Sequence, residues 1–225
     1  SPGRYSGIMA SGERVICVSQ TVRDYLLRHY PATDLARLRV VPRGVDVAQF
    51  PRVARSDRRP RLAVAERYPA LAGDGPLLLL PGRGTRLKGH AHALQLLATL
   101  QGQGVPARLW MPGAREPGRE AYVRELEQHA AALGIGDALA ITEPTPRIAQ
   151  AYAASDLVLQ LSDKPEAFGR TVLEALCVGR PVLGWNHGGV GELLAQLQPS
   201  GAVAHGDAAA LAQCAQALLH HPPAL

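Results

Sequence analysis

The sequence predicts an α/β fold, a parallel sheet covered by helices on both faces. From Leu77 onward, short apolar runs alternate with longer amphipathic stretches, the pattern of doubly buried strands joined by crossover helices. The turns after several of those runs carry Gly and basic residues, and parallel sheets gather their ligands at the carboxyl ends of the strands.

In chain order, residues 14–19 (RVICVS) read as a buried strand and 21–29 as a helix. Residues 38–41 read as a second strand that ends in the turn Pro42-Arg43-Gly44-Val45-Asp46. Opening on so few elements predicts that residues 1–50 are the end of an upstream domain with its connection, and that 51–225 form a domain of their own. Residues 50–61, dense in Arg, Pro and Ser, read as a linker. Strands follow at 77–81 (LLLLP), 107–111 (ARLWM), 138–142 (ALAIT), 156–161 (DLVLQL), 181–185 (PVLGW) and 201–204 (GAVA). Between and after them lie helices at 88–100, 119–133, 146–153, from Phe168 onward, 190–197 and 207–220.

With 47% hydrophobic residues in 225, the chain can bury a sizeable core. Only 4% are aromatic, which argues against a stacking platform for single-stranded nucleic acid. The net charge of +5 reads as dispersed rather than gathered into a stripe, so an anionic small ligand or an anionic membrane surface accounts for it and nucleic acid is not expected. Cys17, Cys177 and Cys214 lie far apart in apolar runs and read as buried free thiols in a reducing cytoplasm. No apolar run is long enough to span a bilayer and no signal-peptide pattern opens the chain, so a cytoplasmic protein is expected, at most peripheral to the inner membrane.

The most informative stretch is PEAFGRTVLEAL, Pro165 to Leu176. Gly169 and the apolar residues after it predict a loop turning into a helix, with Glu166 in the loop and Glu174 on the second helical turn. At about 1.5 Å of rise per residue, the carboxylates stand on the order of 10 Å apart along the axis. The free N–H groups and positive dipole end between them favour an anion such as a diphosphate. Each carboxylate would repel phosphate and is better explained as an acceptor for hydroxyls. A nucleotide sugar has that order of groups: hexose, diphosphate, ribose. Two acids at this spacing would otherwise be a helix-dipole partner and a solvated surface acid.

After the first strand of the second domain comes Gly82-Arg83-Gly84-Thr85-Arg86-Leu87-Lys88-Gly89. His90 and Ala91 stand where a P-loop would need Lys and Ser or Thr, and Leu87 stands where a dinucleotide fingerprint would need its third Gly. Arg83 and Lys88 nonetheless offer cations for a leaving diphosphate. Gly113, after the next strand, is either an ordinary turn or a place where a flat base approaches the backbone. Asn186-His187-Gly188-Gly189 precedes another helix, and His187 reads as structural.

Six ordered segments, VSQTVRDYL, VPRGVDVAQF, PGRGTRLKGH, AYAASDLVLQLS, PEAFGRTVLEALCVGRPVLGW and HGGVGELL, together resemble the retaining glycosyltransferases of family 4, which have the two-domain GT-B fold. The resemblance implies that 51–225 is the Rossmann-like C-terminal, donor-binding half, and that 1–50 holds the end of the acceptor-binding domain and the interdomain linker. It implies that Arg83 and Lys88 hold the donor diphosphate beside Gly82. Glu166 would contact the transferred sugar, beside the amides of Ala167, Phe168 and Gly169. Glu174 would take the ribose hydroxyls, with Thr171 and Val172 near the phosphate. The family needs no metal or other cofactor. The implied partners are a nucleoside-diphosphate sugar, UDP-linked before GDP-linked on frequency, and a cell-envelope glycan or lipid acceptor read by the preceding half. This portion alone would bind nucleotide and transfer little, and the alternative is a nucleotide-sugar-binding module without transferase activity. Ala167, Arg43 and Thr142 depart from residues frequent in the family, and none removes a proposed chemical group.

Overall fold

The structure, a computed structural model, describes residues 4–224. It opens with helix α1 (Arg4–Met9), strand β1 (Val15–Cys17), helix α2 (Gln20–His29) and strand β2 (Leu38–Val40). β1 and β2 pair in parallel as a separate two-stranded sheet, Ile16 opposite Arg39. Ser19 caps α2, its hydroxyl accepting from the Val22 N–H.

Helix α3 (Arg59–Arg67) leads into the larger unit: β3 (Leu77–Leu79), α4 (His90–Gly102), β4 (Arg108–Pro112), α5 (Glu120–Ala132), β5 (Leu139–Thr142) and α6 (Ile148–Ala154). It continues with β6 (Leu157–Gln160), α7 (Arg170–Val178), β7 (Val182–Trp185), α8 (Gly188–Leu197), β8 (Ala202–Val203) and α9 (Ala208–His220). The six strands are all parallel, in the order β5-β4-β3-β6-β7-β8. This is the α/β architecture expected from the alternating apolar runs.

The pleat explains why each strand is apolar throughout. Leu78 and Leu80 pack on one face with Leu94, Leu97 and Leu109, while Leu77 and Leu79 pack on the other with Trp110, Val172 and Val182. A strand covered on both sides has no solvent face on which to place polar residues. Each buried Leu removes its side chain from water, worth about 1.5–3 kcal/mol before entropy is counted.

Three expectations need correction. Residues 50–61 are not all linker, because α3 begins at Arg59 with Pro60 in its first turn, where a missing N–H costs no helical bond. The helix expected from Lys88 starts at His90, because Gly89 takes a left-handed φ of +76° between a short 3-10 turn and α4. All three cysteines are free thiols, but only Cys17 is buried, with Cys177 and Cys214 half-buried.

Candidate functional site

The strand order reverses direction between β3 and β6, and the crevice at that switch point is where open parallel sheets bind ligands. The turn after β3 brings Arg83 and Lys88 there, and the turn after β6 brings Ser162 and Glu166. These side chains, with Thr85, Lys164 and Ala167, line a cleft of about 340 Å³. Lys88 Nζ donates to Glu166 Oε1 at 2.5 Å, and the Ser162 hydroxyl donates to the same oxygen at 2.6 Å. Burial pushes the Glu166 carboxyl up, but the bonds from Lys88 and Ser162 and the Lys88 charge outweigh it and hold its pKa below the ordinary value. Glu166 is therefore a carboxylate at neutral pH, held as an acceptor.

Arg83 is held more loosely. Its side chain is 76% exposed and its nearest acid is Glu116, at 3.8 Å from Nε. It can swing to meet an anion, whereas Lys88, 32% exposed, already points at Glu166.

Glu174 lines a neighbouring depression of about 370 Å³ with Arg43, Asp46, Gln49 and Arg170. The Tyr152 hydroxyl donates to Glu174 Oε2 at 2.9 Å, and Arg170 Nε lies 3.5 Å from Oε1. Burial and then the Glu174 charge push the Tyr152 phenol well above its ordinary pKa, so it stays protonated and donating. Glu166 and Glu174 thus flank the start of α7 from two hollows, with Gly169 as its N-cap residue and no side chain capping it. Phe168 and Val172 are core residues, so only their backbone is available beside the cleft. Thr171 is half-buried, and Ala167 lines the cleft.

Gly82 and Gly113 stand side by side at the ends of β3 and β4, and a Cβ on Gly113 would lie 3.0 Å from the Gly82 carbonyl oxygen. The close approach that Gly113 permits is thus to a neighbouring turn. Thr142 is buried and accepts from the Trp110 indole at 3.0 Å, while its carbonyl accepts from the Gly113 and Arg115 N–H groups at 3.0 and 3.1 Å.

Several supports escaped the sequence reading. His92 donates to Asp163 at 2.8 Å and His205 approaches the same oxygen at 3.3 Å, while the Asp163 N–H donates to the Leu87 carbonyl at 2.9 Å. His187 Nε2 donates to the Ser162 carbonyl at 2.9 Å and stacks on His205, ring centroids 4.8 Å apart, which is the structural part expected of it. Together these bonds tie the Glu166 turn to the Lys88 turn. Among the described residues no group of three or more His, Cys, Asp or Glu side chains is arranged to hold a metal ion. None of their helices is long and apolar enough to cross a membrane.

His90, the first residue of α4, is fully buried beneath the cleft loop, its Nδ1 3.4 Å from the Tyr122 hydroxyl and its Nε2 without a hydrogen-bond partner. Burial, opposed by a backbone bond at Thr85 and aided by the Lys88 charge, pulls its pKa from 6.5 to about 4. Below about pH 6.5 the unfolded chain takes up a proton that the folded chain refuses until about pH 4. This group's contribution is therefore complete above that window and falls as pH drops through it, by about 3 kcal/mol at most. We expect His90→Gln to flatten this part of the acid limb in denaturant titrations between about pH 7 and pH 4. An unchanged slope would show that His90 is protonated in the folded state.

A parallel sheet with a cationic and an acidic turn meeting at its switch point makes this an α/β domain with a candidate ligand site, and comparison with known proteins supplies its family. Residues 66–224 match the family described as glycosyl transferases group 1, and residues 4–49 match glycosyltransferase family 4. The chain belongs to the group 1 glycosyl transferases, a glycosyltransferase family. It is 35% identical over 185 residues to a D-inositol 3-phosphate glycosyltransferase of Xylanimonas cellulosilytica, the match covering 81% of this chain and 43% of that one. A crystal structure of a glycosyltransferase from Rickettsia africae superposes with a TM-score of 0.79 at 27% identity, over 95% of this chain and 56% of that one. The Anabaena protein HepE in complex with UDP and glucose has the same fold, with a TM-score of 0.79 at 22% identity over 93% of this chain and 54% of that one. The chain spans about half the length of these proteins.

Proposed function

We propose that residues 51–225 are the donor-binding half of a retaining glycosyltransferase that moves a sugar from a nucleoside diphosphate, UDP before GDP, to a cell-envelope glycan or lipid. The Lys88–Glu166 contact at 2.5 Å carries the reading, because it brings together at the switch point an ammonium suited to a phosphate and a carboxylate suited to hydroxyls. Relatives and neighbours with glycosyltransferase names, and a neighbour crystallised with UDP and glucose, support the class of donor.

When the donor enters, Lys88 turns part of its bonding from Glu166 to the diphosphate, and Arg83 swings in from solvent to the other side. Both neutralise charge that grows as the sugar leaves, where fixed cations lower the barrier. Glu166, released in part, accepts from the sugar hydroxyls and places the anomeric carbon for attack on the face the diphosphate leaves. Glu174 takes the ribose diol once Arg170 moves off it. These residues supply the charge stabilisation without a metal. An acceptor would lie in the hollow of about 780 Å³ between α2 and the Lys164–Ala167 turn, lined by Thr21, Tyr25 and Arg28. Residues 1–50 are then the end of the acceptor-binding half with its linker. The enzyme works in the cytoplasm, at most peripheral to the inner membrane.

Calorimetry with a panel of nucleoside diphosphates tests the reading: UDP should bind best, and no binding by any of them would reject it. The chain alone should hydrolyse or transfer little, and joining an acceptor-binding half ahead of it should restore transfer. Binding without transfer in the joined chain would identify a binding module instead. Glu174→Ala should weaken nucleoside-diphosphate binding by about 1–3 kcal/mol, the cost of a lost charge-assisted hydrogen bond. Unchanged affinity would confine Glu174 to holding Tyr152.

A further inference from the structure

At the opposite edge of the main sheet, where the strands begin, the basic residues are gathered rather than dispersed. Arg55, Arg58, Arg61 and Arg180 line a small pocket with Asp57, Asp156 and Ser155, just before β6 and beside the start of β7. Four guanidinium groups face two carboxylates, a net charge of +2 on one pocket. Arg61 is 4% exposed and Arg180 is 2% exposed.

Arg180 is satisfied, donating to the Val53 carbonyl at 2.8 Å and the Ala153 carbonyl at 2.7 Å. Arg61 is not: Nη2 reaches the Gly75 carbonyl at 3.2 Å, but Nε and Nη1 are buried with no hydrogen-bond partner. Neither of the two buried guanidinium groups has an acid within ion-pair distance among the described residues, and Asp156, the nearby carboxylate, accepts from the Leu77 N–H at 2.8 Å. A buried charge without a partner is costly, and a buried guanidinium with idle donors needs a compensating group.

Two further observations say what that group is. The Asp57 carboxylate is already engaged at the start of α3, accepting from the Arg59 N–H at 3.0 Å and pairing with the Arg59 guanidinium at 2.8 Å, so its charge is shared outside the pocket's four arginines. Arg55 and Arg58 are exposed and form no side-chain hydrogen bond or ion pair among the described residues. The enclosed part of the pocket is about 10 Å³, room for one oxygen-sized atom, with the exposed arginines at its mouth.

We propose that this pocket binds a small oxyanion of the phosphate class, free or at the end of a larger ligand, with one oxygen seated against Arg61 and the others held by Arg55 and Arg58. The site lies across the sheet from the donor cleft and uses none of its residues. Bound anion would neutralise Arg61 and fasten the chain entering α3 to the beginnings of β6 and β7.

The test is thermal unfolding of the chain in rising inorganic phosphate, at ionic strength held constant with sodium chloride. A saturable rise in Tm is expected. The double variant Arg55→Ala/Arg58→Ala should weaken the apparent phosphate affinity by about tenfold. Arg61→Met should abolish the response, and if it does not fold, the exposed pair decides alone. Arg83→Ala/Lys88→Ala should keep the part of the response that Arg55→Ala/Arg58→Ala loses. A rise without saturation, equal in every variant, would be the general exclusion effect of phosphate and would overturn the site. Loss of the response only in the Arg83/Lys88 variant would place phosphate in the donor cleft and equally overturn it. Addition of free inorganic phosphate against glucose 6-phosphate at equal ionic strength then separates a free ion from a ligand-borne group, since only a site open at its mouth accepts both.

Discussion

Glu166→Gln is expected to lower sugar transfer by about 10²–10³-fold in the chain joined to an acceptor-binding half, the scale seen when one preorganised transition-state contact is removed. Nucleoside-diphosphate affinity should stay level or rise. The physical reason is the ion pair: Lys88 is held by Glu166 at 2.5 Å without donor, and the diphosphate must compete for it. The neutral amide keeps the size of the side chain and a hydrogen-bond acceptor but releases the ammonium. The amide also fails to offer a charged acceptor to the sugar, so the cost falls on kcat. Equal losses in UDP binding and in transfer would show that Glu166 holds the loop rather than the sugar.

The second large effect is structural. Gly89→Ala should destabilise the fold by at least about 3 kcal/mol, because two separate penalties coincide. The residue has φ +76°, and a Cβ there would stand 1.9 Å from the Leu161 carbonyl oxygen. That oxygen also accepts from the Trp185 indole at 3.1 Å, so relief by moving it breaks a buried bond. Equilibrium denaturation measures the loss, and a change within about 1 kcal/mol would mean that the turns after β3 and β6 separate easily. The same shift would draw Lys88 away from Glu166, so any folded variant should bind nucleotide poorly.

The features that could be read from the sequence were those carried by local pattern. Alternating apolar runs placed the main strands, because doubly buried strands leave no polar positions. The acid spacing in PEAFGRTVLEAL placed Glu166 in a turn and Glu174 on α7, because both lie within one short segment. What stayed hidden depends on tertiary approach. His92 and His205 reach Asp163, in the Glu166 turn, from two other segments that nothing in the linear order connects. Tyr152 reaches Glu174 across the α6–α7 packing, and an isolated Tyr in a helix carries no mark of its partner. Residues 50–61 read as linker by composition although Pro60 stands in the first turn of α3, and that reading conceals how the arginines of the segment converge.

Two contacts tie the smaller sheet's helix to the larger unit. The Ser19 hydroxyl that caps α2 also donates to the Ala167 carbonyl at 2.5 Å, and Glu192 of α8 accepts from the Gln20 and Thr21 N–H groups at 2.9 and 2.6 Å. Ala167 adjoins Glu166, so the residue that would touch the sugar is one peptide away from a hydroxyl belonging to the other unit. A ligand that shifts this turn must therefore either drag the first turn of α2 along or give up that hydroxyl's bond. Occupancy of one hollow is thereby converted into mechanical load on the other.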